Sequence, residues 1–313
     1  MKALVTGGAG FIGSHLSERL LRDGAEVVAV DCFTDYYPRA IKERNLAGLI
    51  GQPRYRFVEG ELAHVDLPAM LAEATHVFHL AAQAGVRKSW GSDFKTYTTL
   101  NVDATQVLLE ACVGRPIERL VYASSSSVYG DDVVLPMRED AVPRPVSPYG
   151  VTKLAAEHLC HLYFVNHKVP TVSLRYFTVY GPRQRPDMGF HRFFTAVLDD
   201  RPVAQFGDGL QTRDFTFVGD AVAATAAAAV QGAPGGVYNI GGGSRVTLRD
   251  VFDMIGRVTG RPVRIDRQPA QKGDMRDTYA DTTRARADLG FVPAVSLEEG
   301  LREMFGWMET IRR

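Results

Sequence analysis

Residues 4–16 read LVTGGAGFIGSHL, with glycines at positions 7, 10 and 13. The apolar residues before the first glycine predict a short buried strand, and the residues from Phe11 onward predict an amphipathic helix that ends by Gly24. In such a turn the first glycine permits the bend, the second lets the backbone approach a pyrophosphate, and the third lets the helix pack closely on the strand. The N–H groups at the start of the helix favour an anionic ligand. This stretch therefore predicts a dinucleotide-binding unit.

The second predicted strand, AEVVAVD at residues 25–31, ends in an acid. A carboxylate there can accept hydrogen bonds from both ribose hydroxyls and would repel a 2′-phosphate, so we expect NAD rather than NADP. Further contacts are expected at the carboxyl ends of later strands, with Glu61 and Leu62 ending the third strand near adenine. The predicted cofactor contacts are Gly7, Gly10, Phe11, Ile12, Gly13, Asp31, Glu61, Leu62, Leu80, Ala81, Ala82, Asn101, Ser124, Tyr149, Lys153 and Tyr176.

Strand patterns continue to alternate with helix patterns through the N-terminal half. The later strands are predicted at YRFVEG (55–60), THVFHLAA (75–82), RLVYASS (119–125) and TVSLRYF (171–177). This alternation predicts an α/β fold with a Rossmann-like, doubly wound parallel sheet that is covered by helices on both faces. We expect residues 1–177 to form the NAD-binding domain, with returning segments around 214–240. Residues 178–313 are expected to form mainly a smaller α/β substrate domain.

The bulk composition excludes several classes of partner. Acidic and basic residues balance at 36 each, so net charge favours neither nucleic acid nor an anionic membrane. We find no apolar run of the ~20 residues that a membrane-spanning helix needs. The three cysteines, Cys32, Cys112 and Cys160, are scattered along the chain. They predict reduced thiols in a cytoplasmic protein, with neither a disulfide framework nor a metal site.

Residues 148–153 read PYGVTK and place a tyrosine and a lysine four positions apart. If Pro148 opens a helix, Tyr149 and Lys153 share one face of it. A free tyrosine has a pKa near ~10 and is a poor base at neutral pH. A nearby ammonium and an oxidised nicotinamide would both stabilise the phenolate. The pair therefore predicts Tyr149 as a general base for a sugar hydroxyl.

Stretches along nearly the whole chain resemble one family, the extended short-chain dehydrogenase/reductases that modify nucleotide sugars. They are TGGAGFIGSHL, HLAAQAGVR, YASSSSVYG, SPYGVTK, LRYFTVYGPRQRPDM, GDGLQTRDFTFVGD and VYNIGGG. The resemblance implies a third catalytic group, Ser125, four residues before the tyrosine of VYG. Its hydroxyl would hydrogen-bond O4 of the sugar and share the proton with Tyr149. The family also implies a homodimer built through a four-helix bundle.

The residues after Ser125 distinguish branches of this family. Family dehydratases carry an Asp-Glu pair there and uronate decarboxylases usually carry a glutamate two positions on, whereas this chain has Ser126 and Ser127. Small hydroxyls can donate hydrogen bonds to an anion without repelling it. The segments AAQAGVR and FTVYGPRQRPDMG are similar to those of UDP-glucuronate 4-epimerases, and Thr178 stands where hexose 4-epimerases commonly have asparagine. The resemblance therefore implies a substrate with a carboxylate.

The same resemblance implies a set of substrate contacts. Ser126, Ser127, Thr178 and Arg185 would hold the carboxylate, with Arg87 as a second candidate arginine. Arg213 and Arg276 would hold the diphosphate, and Phe206 would border the uracil. The full set is Arg87, Ser125, Ser126, Ser127, Tyr149, Thr178, Arg185, Gly189, Phe190, Phe193, Phe206, Arg213 and Arg276.

The implied activity is the NAD-dependent 4-epimerisation of UDP-glucuronic acid to UDP-galacturonic acid through a 4-keto intermediate, without decarboxylation. The alternatives within the family are a UDP-glucose 4-epimerase and a UDP-glucuronate decarboxylase. The alternative outside enzymology is a catalytically silent NAD-binding regulator. Such a protein is expected to lose the base or its lysine, and this chain has both Tyr149 and Lys153.

Overall fold

The computed structural model describes residues 1–271 and 273–312. Its strands are β1 Lys2–Thr6, β2 Glu26–Asp31, β3 Tyr55–Glu59, β4 His76–His79, β5 Arg119–Ser125, β6 Thr171–Tyr176, β7 Val179–Tyr180, β8 Val203–Phe206, β9 Thr212–Asp214, β10 Thr216–Phe217, β11 Val237–Ile240, β12 Arg245–Thr247 and β13 Ile265–Gln268. Its α-helices are α1 Phe11–Arg22, α2 Arg39–Leu46, α3 Leu67–Leu71, α4 Phe94–Tyr97, α5 Ala104–Cys112, α6 Pro148–His167, α7 Gly189–Leu198, α8 Val218–Gln231, α9 Leu248–Thr259, α10 Thr283–Leu289 and α11 Leu297–Thr310.

Seven parallel strands form the central sheet in the order β11-β6-β5-β4-β1-β2-β3. The chain builds outward from β1 to β3 and then returns to add β4 on the other side of β1. Crossovers therefore leave a crevice between β1 and β4, where doubly wound sheets bind their ligands. The predicted Rossmann-like fold is confirmed.

The two faces of the sheet are covered by separate hydrophobic cores. Successive residues on a strand point to opposite faces, so Val77 belongs to one core and Phe78 to the other. Helices α5 and α6 cover the face of Val77, and α1 and α8 cover the face of Phe78. Burial on both faces explains the continuous apolar runs within β1, β2 and β5.

The last strand of the sheet comes from far along the chain. Val237–Ile240 pairs in parallel with β6, and α8, which precedes it, packs against α1. The remaining strands pair in twos, as β10 with β7, β12 with β9 and β13 with β8. The division into two domains between residues 177 and 178 remains a prediction. The segment around 214–240, which is expected to return to the first domain, includes β11, the seventh strand of the main sheet.

Two element boundaries differ from the predicted ones. The third strand ends at Glu59, so Glu61 and Leu62 lie in the turn that follows it. The sequence pattern predicts a helix around residues 101–113, whereas α5 covers Ala104–Cys112 and follows a π-helical turn over Thr98–Asp103. Among residues 1–271 and 273–312, no helix is both long and apolar enough to cross a membrane.

Candidate active site

The glycine turn between β1 and α1 leaves no room for side chains. Gly7 has a φ of +72°, and a Cβ there would lie 2.8 Å from the backbone nitrogen of Ala81. A Cβ on Gly13 would collide with the carbonyl oxygen of Gly7. The backbone of the turn is therefore bare, and the free N–H groups of α1 begin beside it. This cradle fits the pyrophosphate of a dinucleotide.

Asp31 is held at the end of β2 by the backbone around it. Its Oδ1 accepts a hydrogen bond from the Phe33 N–H at 2.9 Å, and its Oδ2 accepts one from the Ala9 N–H at 3.2 Å. The Nζ of the buried Lys42 lies 3.6 Å from Oδ1. The carboxylate is thus oriented beside the glycine turn, as recognition of an adenosine ribose requires.

A single cavity runs along this edge of the sheet and collects nearly all the predicted cofactor residues. Its lining includes Gly7, Gly10, Phe11, Ile12, Gly13, Asp31, Glu61, Leu62, Leu80, Ala81, Ala82, Ser124, Tyr149, Lys153 and Tyr176. Asn101 is the exception and does not line the cavity. Its side chain is 1% exposed, accepts a hydrogen bond from the Gln83 N–H at 2.7 Å and donates to the Gln83 carbonyl at 3.0 Å. Asn101 therefore supports the loop after β4.

The cavity also contains residues that the sequence analysis missed. Cys32, Thr34, Tyr36, Tyr37 and Lys42 follow Asp31 along its wall. Two adjacent tyrosines in a polar loop directly after the ribose acid were the available signal. Aromatic residues in such a loop need a packing surface, and the cavity wall provides one.

Lys153 is a buried amine that has no carboxylate partner within residues 1–271 and 273–312. Its side chain is 3% exposed, its Nζ donates a hydrogen bond to the Ala123 carbonyl at 2.8 Å, and it lies 5.0 Å from the centre of the Tyr122 ring. Burial lowers the pKa of Lys153 to about 7. Any anion that forms beside it would restore its charged state.

Tyr149 lies one helical turn before Lys153 on α6. The Ser147 side chain caps this helix by accepting a hydrogen bond from the Gly150 N–H at 3.1 Å. Burial raises the pKa of Tyr149, and the nearby Arg185 guanidinium and Ser125 hydroxyl act in the opposite direction. Tyr149 thus has two neighbours that favour its phenolate, and Lys153 lies one turn further along the same helix.

The four serines at the end of β5 and in the turn that follows it have different environments. The Ser124 hydroxyl donates to Oε2 of Glu157 at 2.6 Å, and the Ser125 Oγ accepts from the Ser127 N–H at 3.1 Å. Ser126 is 6% exposed and begins a 3₁₀ turn that runs to Val128. Ser124 is therefore tied to the helix of Tyr149, whereas Ser125 is placed by the turn.

A second, smaller cleft adjoins these serines. Ser126 and Ser127 line it together with Thr178 and Arg213, and its lining also includes Val86, Val146, Ser147, Gly273, Asp274, Met275 and Thr278. The structure thus brings three predicted carboxylate ligands and one predicted diphosphate arginine to the same place. Arg185 lines the larger cavity instead, with Tyr149.

The predicted nucleotide-binding side chains have contrasting partners. The Arg213 Nη1 donates to the backbone carbonyls of Thr212 and Arg276, at 2.8 and 3.0 Å. Burial lowers the pKa of Arg213. Arg276 is exposed and pairs with Asp208 at 2.9 Å. Because Arg213 lacks a salt bridge within the described ranges, it is the better placed of the two to receive an anion.

The side chains of Arg87 and Phe206 contact each other. The Arg87 guanidinium stacks 4.2 Å from the centre of the Phe206 ring and pairs with Asp274 at 2.7 Å. The structure therefore places Arg87 beside Phe206, the residue predicted to border the uracil.

Three of the predicted substrate contacts, Gly189, Phe190 and Phe193, lie outside both cavities. Phe190 is 2% exposed and packs 4.7 Å from the Phe215 ring, and Phe193 packs 5.1 Å from the Phe252 ring. Gly189 begins α7, whose apolar face carries both phenylalanines into this core. Neither cavity is lined by these three residues. The helical period of α7 directs the phenylalanines into the core.

The described ranges contain no group of three or more His, Cys, Asp or Glu side chains that could hold a metal ion.

The chain is similar to known nucleotide-sugar epimerases over nearly its whole length. The chain is 43% identical to "Uncharacterized UDP-glucose epimerase YtcB" of Bacillus subtilis (strain 168) over 99% of both chains. It is 35% identical to UDP-glucuronate 4-epimerase of Thermodesulfobacterium geofontis (strain OPF15), over 97% of this chain and 95% of that one.

Solved structures agree with the sequence comparison. The UDP-glucuronic acid 4-epimerase of Bacillus cereus in complex with UDP-glucuronic acid and NAD is 43% identical and covers 99% of this chain and 100% of its own, with a TM-score of 0.97. The protein MoeE5 in complex with UDP-glucose and NAD is 44% identical and covers 100% of both chains, with a TM-score of 0.90.

The NAD dependent epimerase/dehydratase family matches residues 3–241, which include the glycine turn, Asp31, the serine run and the Tyr149–Lys153 pair. This chain therefore belongs to the NAD dependent epimerase/dehydratase family.

Proposed function

We propose that this protein is an NAD-dependent nucleotide-sugar 4-epimerase that interconverts UDP-glucuronic acid and UDP-galacturonic acid. The observation that carries the proposal is the position of Tyr149. It shares the dinucleotide cavity with Lys153 and Arg185, and the serines next to Ser125 open onto a cleft that contains Thr178 and Arg213. The candidate base and Arg185 thus line the cofactor cavity, while the hydroxyl groups and Arg213 line a neighbouring cleft, and this arrangement supports a reaction on an anionic sugar.

When bound, NAD would supply the redox chemistry, the exchange of a hydride with C4 of the sugar. Tyr149 takes the proton from O4 as a general base and gives it back after the ring has turned. Lys153 stabilises the phenolate, and the hydroxyl of Ser125 hydrogen-bonds O4. Burial lowers the pKa of Lys153 to about 7, and a phenolate beside it would raise that pKa again and so keep the lysine protonated.

The carboxylate on C5 makes the 4-keto sugar a β-keto acid. Such an acid loses carbon dioxide readily when the bond to its carboxylate is perpendicular to the plane of the ketone. We propose that Ser126, Ser127 and Thr178 donate hydrogen bonds to the carboxylate and that Arg185 pairs with it. These contacts would keep the bond to the carboxylate from becoming perpendicular to the plane of the ketone, so the sugar is epimerised and keeps its carboxylate.

The relatives support the choice of substrate. The Bacillus cereus structure contains UDP-glucuronic acid and NAD, and the Thermodesulfobacterium geofontis relative is named for the same reaction. No acid stands at positions 126 and 127, where family dehydratases and decarboxylases carry theirs.

A UDP-glucose 4-epimerase is the second candidate. The Bacillus subtilis relative carries that activity in its name, and MoeE5 has been solved with UDP-glucose. The same base and cofactor would serve a neutral sugar, so only the groups around C5 separate the two activities.

The test is to supply UDP-glucuronic acid and UDP-glucose separately to the purified protein with NAD and to follow the configuration at C4 by NMR. We expect UDP-galacturonic acid from the first substrate, much slower but measurable formation of UDP-galactose from the second, and no UDP-xylose. Rapid epimerisation of UDP-glucose alone would establish the second candidate. Stoichiometric UDP-xylose and carbon dioxide would establish a decarboxylase.

We also propose that the protein acts in the cytoplasm as a homodimer. Its three cysteines are free thiols, which suits a reducing compartment. Helix α6 exposes Val151, Leu162 and Val165, which are 47%, 50% and 46% exposed. Exposed aliphatic side chains on one helix support an interface with a second copy. Sedimentation of the protein at several concentrations tests this assembly.

A further inference from the structure

The side chain of Arg185 is held by a neighbour that the proposed mechanism does not use. Its Nε donates to Oδ1 of Asp187 at 3.0 Å, and its Nη2 donates to Oδ2 at 3.0 Å. The two side chains are 20% and 32% exposed. A carboxylate that accepts from both Nε and Nη2 fixes the plane of the guanidinium, because two parallel bonds leave it no freedom to rotate.

This pairing uses only one edge of the guanidinium. Within residues 1–271 and 273–312, no group accepts a hydrogen bond from Nη1 of Arg185. A guanidinium has five N–H donors, and its Nη1–Nη2 edge can bind a second carboxylate while Nε and Nη2 stay on Asp187. The free edge belongs to a side chain that lines the same cavity as Tyr149.

Asp187 is itself fixed from the other side. The Tyr36 hydroxyl donates to Oδ2 of Asp187 at 3.2 Å, and the Arg185 guanidinium lies 5.9 Å from the centre of the Tyr36 ring. Gly85, with a φ of +102°, reserves the space for the Tyr36 hydroxyl, because a Cβ on Gly85 would collide with it. Tyr36, Asp187 and Arg185 thus form a chain of contacts from the loop after Asp31 to the arginine.

We infer that Asp187, supported by Tyr36, is the positioning residue that orients Arg185 for the carboxylate of a uronic acid sugar. The inference rests on the proposed function. It assigns discrimination between UDP-glucuronic acid and UDP-glucose to the ion pair as well as to the arginine. A neutral sugar makes no use of the oriented edge, so the pair matters to one substrate and hardly to the other.

The test compares Asp187→Asn with wild type on both substrates. The asparagine keeps the size of the side chain and one acceptor oxygen but removes the charge and the bidentate pairing. We expect kcat/KM for UDP-glucuronic acid to fall about tenfold, and that for UDP-glucose to change by less than about threefold. We also expect UDP-xylose among the products, because a loosely held carboxylate reaches the orientation in which it is lost.

Asp140→Asn is the matched control. Arg138 donates from Nε and Nη2 to the two carboxylate oxygens of Asp140, at 3.1 and 3.2 Å, with the same spacing of two residues. That pair is 65% and 60% exposed, and neither cavity described above is lined by it. We expect Asp140→Asn to leave both kcat/KM values unchanged.

Tyr36→Phe provides a second variant, since it removes one hydroxyl and keeps the ring. We expect a smaller loss of the same kind, about threefold for UDP-glucuronic acid alone. If Asp187→Asn reduces both substrates by the same factor, or leaves both unchanged, Asp187 only orders its loop and the inference is wrong. If wild type does not act on UDP-glucuronic acid at all, the proposed function fails, and this inference fails with it.

Discussion

The cofactor side and the sugar side of this site are built in different ways. The cofactor side uses bare backbone at Gly7 and Gly13 and small side chains at strand ends such as Ala81. The sugar side uses long polar side chains from segments far apart in sequence, and some of these are tied to each other, as Arg87 is to Asp274. One side is shaped by the fold itself and the other by side chains placed on it.

This difference separates what is general in the family from what is particular to one substrate. A backbone cradle cannot be altered without moving a strand or a helix, so it favours one cofactor across many relatives. Side chains on loops can be exchanged without moving the sheet, so the sugar can change while the fold stays the same. Substitutions on the two sides should therefore fail in different ways.

The largest effect is expected from Tyr149→Phe, at the junction of the two sides. The ring that packs edge-on against Tyr97, with 6.2 Å between the ring centres, is retained and only the hydroxyl is lost. We expect kcat to fall by about 10²–10⁴, because general base catalysis is removed. Binding of NAD and of UDP-glucuronic acid should change by less than about threefold when measured by titration calorimetry. A variant that keeps a tenth of the wild-type kcat would show that another group takes the O4 proton.

A smaller effect, confined to the cofactor side, is expected from Gly13→Ala. The added methyl group meets the Gly7 carbonyl oxygen and comes within 3.1 Å of the Gly8 Cα, so the helix must move away from the turn. We expect NAD to bind about 100-fold more weakly and the free energy of unfolding to fall by about 1–3 kcal/mol.

Gly306→Ala is the control for that change. Gly306 lies within α11, and a Cβ there meets nothing within 4 Å. This variant should leave NAD binding unchanged and gain about 0.5–1 kcal/mol in the free energy of unfolding. Calorimetry with NAD and chemical denaturation measure both quantities. Equal loss of NAD affinity in the two variants would contradict the role given to the glycine turn.

The same division explains what could be predicted from the sequence. The alternating strands and helices of the N-terminal half, the glycine turn and Asp31 follow from periodicity and from spacing within a few dozen residues, and the structure places them as expected. The sugar side depends on which loops meet in space. The aromatic core that takes in Phe190 is set by tertiary packing that no local pattern shows.

Two further residues make contacts that a local sequence pattern does not predict. Asn101 was predicted as a cofactor contact, but the π-helical turn around it directs its amide to the Gln83 backbone. Tyr36 was overlooked because its hydroxyl meets a residue 151 positions away, Asp187. Contacts of that range depend on how the loops pack after the sheet has formed.

The smallest of these effects is expected on the sugar side, from Arg213→Ala. Among the residues that the structure describes, Arg213 donates to backbone carbonyls alone, so its charge is available to the diphosphate, whereas the exposed Arg276 is already paired with Asp208. We expect Arg213→Ala to raise KM for UDP-glucuronic acid about tenfold, and Arg276→Ala to raise it by less than about threefold. In both variants kcat and NAD affinity should stay within about twofold of wild type, since neither side chain lines the cofactor cavity. Steady-state kinetics together with NAD titration separate the two sides. If the Arg213→Ala variant binds NAD more weakly than wild type, the sugar side and the cofactor side are coupled through the sheet and are not independent.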